Sequence, residues 1–215
     1  MVHKLSSGQE AGAKRSRGRP RGFDPDAILE RARNVFWNTG YSATSLDELA
    51  AATGLNRPSL YGAFGDKQAL YLAALEKSRA ESVRGLIAAL APEETLRESL
   101  ERLFAAAAQI YLRGDAGQRG CFLIGTAVTE AVADAEIRHV LSLALNELDT
   151  AFEERLRRAQ EAGELDADAD ISALAKVATA TLNGMAIRAR AGADADELAQ
   201  FGRGLVTLIC GAYSK

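Results

Sequence analysis

Between residues 45 and 66 the chain is punctuated so closely that only very short helices fit. Ser45-Leu46-Asp47-Glu48 is a capping box, in which a Ser hydroxyl and a Glu carboxylate each satisfy an orphan backbone N–H. Gly54 then offers a stop, Asn56 a second cap, Gly65 a second stop and Asp66 a third cap. The spacing predicts two short helices joined by Gly54-Leu55-Asn56, the dimensions of a helix-turn-helix. Gly54 supplies positive φ for the turn, and the small Ala50 lets the second helix cross closely. Leu49, Leu55 and Leu60 can fill the inner corner, which leaves Arg57, Ser59 and Tyr61 pointing outward. A recognition helix needs that division, although an ordinary corner in a helical bundle shares the turn.

The rest of the chain also reads as helix. Its 215 residues include 42 Ala and 27 Leu against 8 Val and 8 Ile, so few β-branched residues are left to build sheets. Asp24 and Pro25 open a helix that carries Ile28, Ala32, Val35 and Phe36 and stops at Gly40 in the αL region. After the short pair, helices are expected from Asp66, over about 93–113, 121–132, 134–162 and 170–190, and from about 195 to 213. The fold class is therefore all-α: an N-terminal helix-turn-helix three-helix domain at 23–65 and a larger helical domain at 66–215, preceded by an arm at 1–22.

A net charge of −3 gives nucleic acid little reason to approach, until it is divided along the chain. Residues 1–21 hold six Lys or Arg against the single Glu10, a net of +5, which leaves −8 on the remaining 194. The arm ends directly before the first helix, where Arg17, Arg19 and Arg21 can neutralise phosphates or enter a minor groove. A solvated tail is the alternative.

The first thirty residues contain no apolar h-region, and uncharged stretches such as Val177 to Ile187 reach 11 residues, short of the roughly 18 that suggest a membrane span. A soluble cytoplasmic protein with no membrane partner is expected. Cys121 and Cys210 form neither a disulfide framework nor a metal-ligand spacing, and no cofactor is expected. His3 and His139 lack an evident nucleophile or metal partner, so no enzyme chemistry is expected.

Residues 24–72 resemble the DNA-binding domain of TetR-like transcriptional regulators. The resemblance rests on Phe36, Gly40-Tyr41, Thr44-Ser45, Leu49-Ala50 and Gly54, and on Leu60-Tyr61-Gly62-Ala63-Phe64-Gly65-Asp66-Lys67, which follows the family's Leu-Tyr-x-x-Phe-x-x-Lys. It implies a homodimer on a palindromic double-stranded operator, with Arg57, Pro58 and Ser59 at base-reading places. Thr44, Ser45, Tyr61 and Lys67 correspond to phosphate contacts. The chemistry agrees, because Arg57 can fork to guanine and Pro58 can meet a thymine methyl. The family's bulkier aromatic or His residues are replaced by Gly62 and Ala63, which shifts sequence preference toward Arg57 and the arm.

The resemblance also implies a repressor released by a small effector. Phe104, Tyr111, Phe122 and Thr126, joined by Asn183, Met185 and Arg188, give mostly apolar walls with a few polar groups. That pattern describes a pocket for an apolar or aromatic effector, and equally a helical core. Small residues on the last two helices, among them Ala178, Thr181, Gly184, Ala189 and Ala212, suit close approach across a two-fold axis or within one chain. Alternatives are a helical adaptor, a constitutive DNA-binding factor, and a regulator switched by oxidation of Cys121, whose thiol Arg119 could activate.

Overall fold

The computed structural model describes residues 23–90, 94–113 and 119–212. Expectations for the arm, including Arg17, Arg19 and Arg21, lie outside those residues. Among the described residues every regular element is a helix: α1 (Pro25–Thr39), α2 (Leu46–Thr53), α3 (Arg57–Phe64), α4 (Lys67–Ala89), α5 (Leu96–Tyr111), α6, α7 (Ala135–Glu161), α8 (Ile171–Arg190) and α9 (Ala195–Ala212). Helix α6 is composite, π-helical over Leu123–Ala127 and α-helical over Val128–Glu130.

The caps stand where the sequence puts them. Asp24, Ser45, Asn56, Asp66, Asp134 and Asp170 each accept a backbone N–H from the first turn that follows. Helix α5 starts later than expected because Thr95 and Glu98 form a second capping box, which sets Leu96 as its first residue. Gly40 ends α1 at φ 81° and ψ 164°, a conformation outside the expected αL region and essentially confined to glycine. The π-helical turn of α6 has no counterpart in the apolar pattern.

Two cores result. The first joins Ile28, Ala32 and Phe36 of α1 to Leu49, Leu60 and the start of α4, then continues into Phe122, Leu123 and Ala127 of α6 and Ile137 of α7. The second packs the end of α4, α5, the later part of α7, α8 and α9 around Leu100, Phe152, Leu182 and Leu205. Helix α4 serves both, with Leu70 to Leu75 in the first and Leu86 in the second.

Candidate DNA interface and ligand cavity

In the turn between α2 and α3, Gly54 takes the αL conformation at φ 72° and ψ 10°. Leu49 and Leu60 are buried and Leu55 is half-buried, as the inner-corner reading requires. Asn56 Oδ1 accepts the Ser59 N–H at 2.9 Å, and Arg31 Nη1 donates to the Thr53 carbonyl at 3.3 Å, which ties α1 to the end of α2. Arg57, Pro58, Ser59 and Tyr61 are all exposed on the outer face of α3.

Arg57 is not free. Its Nε donates to Asp47 Oδ1 at 2.9 Å and its Nη2 lies 2.6 Å from Asp47 Oδ2, a two-pronged pair across the two short helices that raises the guanidinium pKa. Lys67 leans over the Tyr41 ring, with Nζ 4.5 Å from the centroid. Ser45 remains exposed, but its hydroxyl is occupied by Glu48, and the bonds from the Ser45 backbone N–H and hydroxyl hold that carboxyl below its ordinary range. Thr44, expected at a phosphate, is placed differently from Ser45. It is buried, its hydroxyl donates to the Gly40 carbonyl at 2.6 Å, and it shares a 2.6 Å bond with the Thr39 hydroxyl, so it shapes the turn from inside.

A cavity of about 540 Å³ lies between α4, α5, α7, α8, the start of α6 and, on one side, α1. Of the expected effector residues, Tyr111, Phe122 and Asn183 line it. The other four do not. Phe104 stacks on Phe152 and is held against Gly202, Thr126 is bonded to the Tyr71 hydroxyl at 2.7 Å, and Met185 is fully buried in the second core. Arg188 is exposed, paired to Glu197 at 3.2 Å and laid over the Phe201 ring. A helical repeat tells which residues share a face, but both the cavity and the core draw on such faces.

Sequence reasoning missed the α1 side of this cavity, formed by Glu30, Arg33, Asn34 and Trp37. Arg33 bonds Glu30 and Glu81, both at 2.5 Å, while Trp37 Nε1 donates to the Arg119 carbonyl at 2.9 Å. The available signal was the polar cluster Arg33, Asn34 and Trp37 beside the apolar stripe of α1. Cys121 also lines the cavity, and burial pushes its thiol up despite the Leu123 and Ile124 N–H groups that bond it. Tyr111 is likewise pushed up by burial.

On the outer side, Ala178, Ala189 and Leu205 are buried within the chain, and a Cβ on Gly184 would lie 3.2 Å from the Phe201 ring. Val177, Ile187 and Leu208 are exposed, the last at 64 %. Among the described residues, no group of three or more His, Cys, Asp or Glu is placed to hold a metal ion, and no helix is long and apolar enough to cross a membrane.

Sequence models of known families match both halves of the chain. One, described as bacterial regulatory proteins of the tetR family, matches residues 28–74, and a tetracyclin repressor-like C-terminal domain matches 98–205. The HTH-type transcriptional repressor ComR of Escherichia coli (strain K12) is 36% identical over 188 residues, covering 87% of this chain and 89% of that protein. The HTH-type regulator YezE of Bacillus subtilis (strain 168) is 31% identical over 182 residues, covering 84% and 93%. A cysteine mutant of the TetR-family regulator CifR, solved with 26-bp operator DNA, superposes with a TM-score of 0.77 at 32% identity, over 87% of this chain and 98% of that one. The chain belongs to the TetR family of bacterial regulatory proteins and is a DNA-binding transcriptional regulator.

Proposed function

We propose that this regulator is a repressor that binds a palindromic operator as a homodimer and leaves it when a small, largely apolar molecule enters the cavity. The observation that carries the DNA half is the exposed Arg57-Pro58-Ser59 tip of α3, presented by the Asn56 cap. Arg57 can fork to guanine O6 and N7 once it exchanges Asp47 for the base, and Pro58 can meet a thymine methyl. In this reading Tyr61, Lys67 and the Ser45 end of α2 meet phosphates, and the basic residues Arg17, Arg19 and Arg21 add a groove-seeking arm. The operator complex of the CifR mutant supports the same use of this domain.

The exposed Val177, Ile187 and Leu208 on α8 and α9 support these helices as the subunit interface, because a two-fold axis buries the same apolar patch from both copies. The cavity falls within the ordinary size of small-ligand sites, about 300–1,000 Å³, and is walled mainly by apolar side chains. Ligand control is favoured over a thiol switch because burial pushes the Cys121 thiol up, away from the thiolate that oxidation needs.

Selection of bound sequences from a random DNA pool tests the reading. Recovery of a two-half-site palindrome with centres about 34–36 Å apart is expected, and recovery of sequences without a consensus would overturn it. Replacing Lys67 by Ala should lower affinity for all DNA alike and flatten the salt dependence by about one unit of slope. An unchanged slope would remove Lys67 from the phosphate contacts.

A further inference from the structure

The cavity wall is divided by chemistry. Leu86, Leu103, Ala107, Leu141 and Leu148 supply apolar surface, whereas the charged groups are Glu30 and Arg33 on α1, Glu81 on α4, Arg113 after α5 and Arg119 before α6. Arg33 and Arg119, two of the three guanidiniums in the wall, differ in one respect. Arg33 is neutralised by Glu30 and Glu81. Among the described residues Arg119 has only neutral acceptors: its Nη1 donates to Asn34 Oδ1 at 3.1 Å, and its Nε and Nη2 donate to Asn38 Oδ1 at 3.3 and 3.1 Å. Its flat face lies over the Trp37 ring at 5.0 Å, and among the described residues no carboxylate comes within ion-pairing distance of it.

A guanidinium satisfied only by amide oxygens gains by exchanging them for an anion, since charge-assisted bonds are roughly twice as strong and a carboxylate matches its fork. Building on the effector reading above, we infer that the ligand is a small amphipathic acid, with an apolar or aromatic body and one carboxylate-class group. Arg119 takes the anion and the leucine-rich surface takes the body. The exchange has a mechanical consequence, because Asn34 and Asn38 belong to α1, the first helix of the DNA-binding unit. Once Arg119 turns to the ligand, α1 keeps the bond from Trp37 to the Arg119 carbonyl and two long contacts of 3.4 Å from Arg190 to the Trp37 carbonyl, while the ion pairs Arg33–Glu81 and Asp26–Lys77 still hold it to α4. The ligand thus acts on the DNA reader through its own first helix.

Trp37 is the single tryptophan of the chain and stands in the cavity wall, so its emission reports occupation. The test titrates 4-phenylbutyrate and octanoate, each against its neutral amide, into the full-length protein at neutral pH, with a gel-shift on the selected DNA in parallel. The acids should saturate the Trp37 signal and weaken DNA binding, with the amides at least about tenfold poorer. Arg119→Gln should bring acid and amide to within about threefold of each other. Asn38→Ala, which removes a competing acceptor, should tighten acid binding several-fold without helping the amide. Equal binding of acid and amide to the unaltered protein overturns the inference without needing any variant, as does an acid preference that survives Arg119→Gln. If the amides bind equally well and release DNA, the effector reading stands and the acid does not. If neither series binds or alters DNA affinity, both fall.

Discussion

At the tip of α3 the Arg57 guanidinium is engaged by a carboxylate before any base can reach it, so its contribution to recognition is a difference between two partners. With the side chains of Arg57 and Asp47 52% and 77% exposed, water and salt weaken the pair, and a dry guanine edge in the groove can displace it. Arg57→Ala should therefore cost roughly ten- to a hundredfold in affinity for the selected operator and relax preference at one base pair, as read by gel-shift on single-base variants. Equal loss on random DNA would contradict base reading. Asp47→Asn should act in the opposite direction and raise affinity. Thr44 separates two roles that the sequence alone could not. If its hydroxyl braces the turn, Thr44→Val should lower folding stability by about 1 kcal/mol and leave the salt slope of DNA binding untouched. Thr44 was assigned to phosphate by its position in the motif, and position does not reveal that Gly40 curls back to take the hydroxyl.

Helix ends were the most readable elements, because a cap is a contract between neighbours three residues apart. Ser45 and Glu48 show its electrostatic side. The Ser45 N–H and hydroxyl favour the ionised carboxylate, so the folded Glu48 pKa lies below the unfolded value. That stabilisation is present above the ordinary Glu pKa of about 4.3 and is lost as pH falls through the lower folded value. A Glu48→Gln variant should be less stable than the parent at neutral pH and converge with it in acid, as read from urea midpoints. Segment 119–125 was the opposite case, because its geometry depends on a distant helix. Gly120 has φ 64°, and a Cβ there would come within 2.4 Å of the Ala186 carbonyl on α8. Gly120→Ala adds a strained backbone to a clash with backbone, and should destabilise by more than about 2 kcal/mol. Thermal melts should detect this readily.

At the scale of the whole molecule, charge and coupling have different origins. The +5 on residues 1–21 against an acidic remainder is a property of order along the chain, and in the proposed reading it would direct phosphate toward that end. Deleting residues 1–22 should flatten the salt dependence of DNA binding by several units, up to about five, if each basic side chain neutralises one phosphate. Coupling between the halves runs through contacts between residues far apart in sequence. Tyr71 on α4 bonds Thr126 on α6, Gln68 bonds Asp134 at 2.6 Å, and Arg190 reaches the end of α1. The first core itself spans both halves, so the short helices are not packed as an isolated unit.

By itself the sequence determined the all-helical class, the two short helices and their turn, the outward face of α3 and the concentration of basic charge in residues 1–21. Each depends on propensity, capping or spacing within a few residues, where local chemistry is enough. Tertiary structure decided which apolar faces meet and which leave a space between them. Tyr111, Phe122 and Asn183 border the cavity, whereas Phe104, Thr126 and Met185 fill or brace the core, although all six carry similar sequence credentials. A cavity is the volume left over when several helices pack at once, and no single helix encodes it. For the same reason the participation of α1 in its wall, and the amide-only bonding of Arg119, could emerge only when residues about 80 positions apart were brought together.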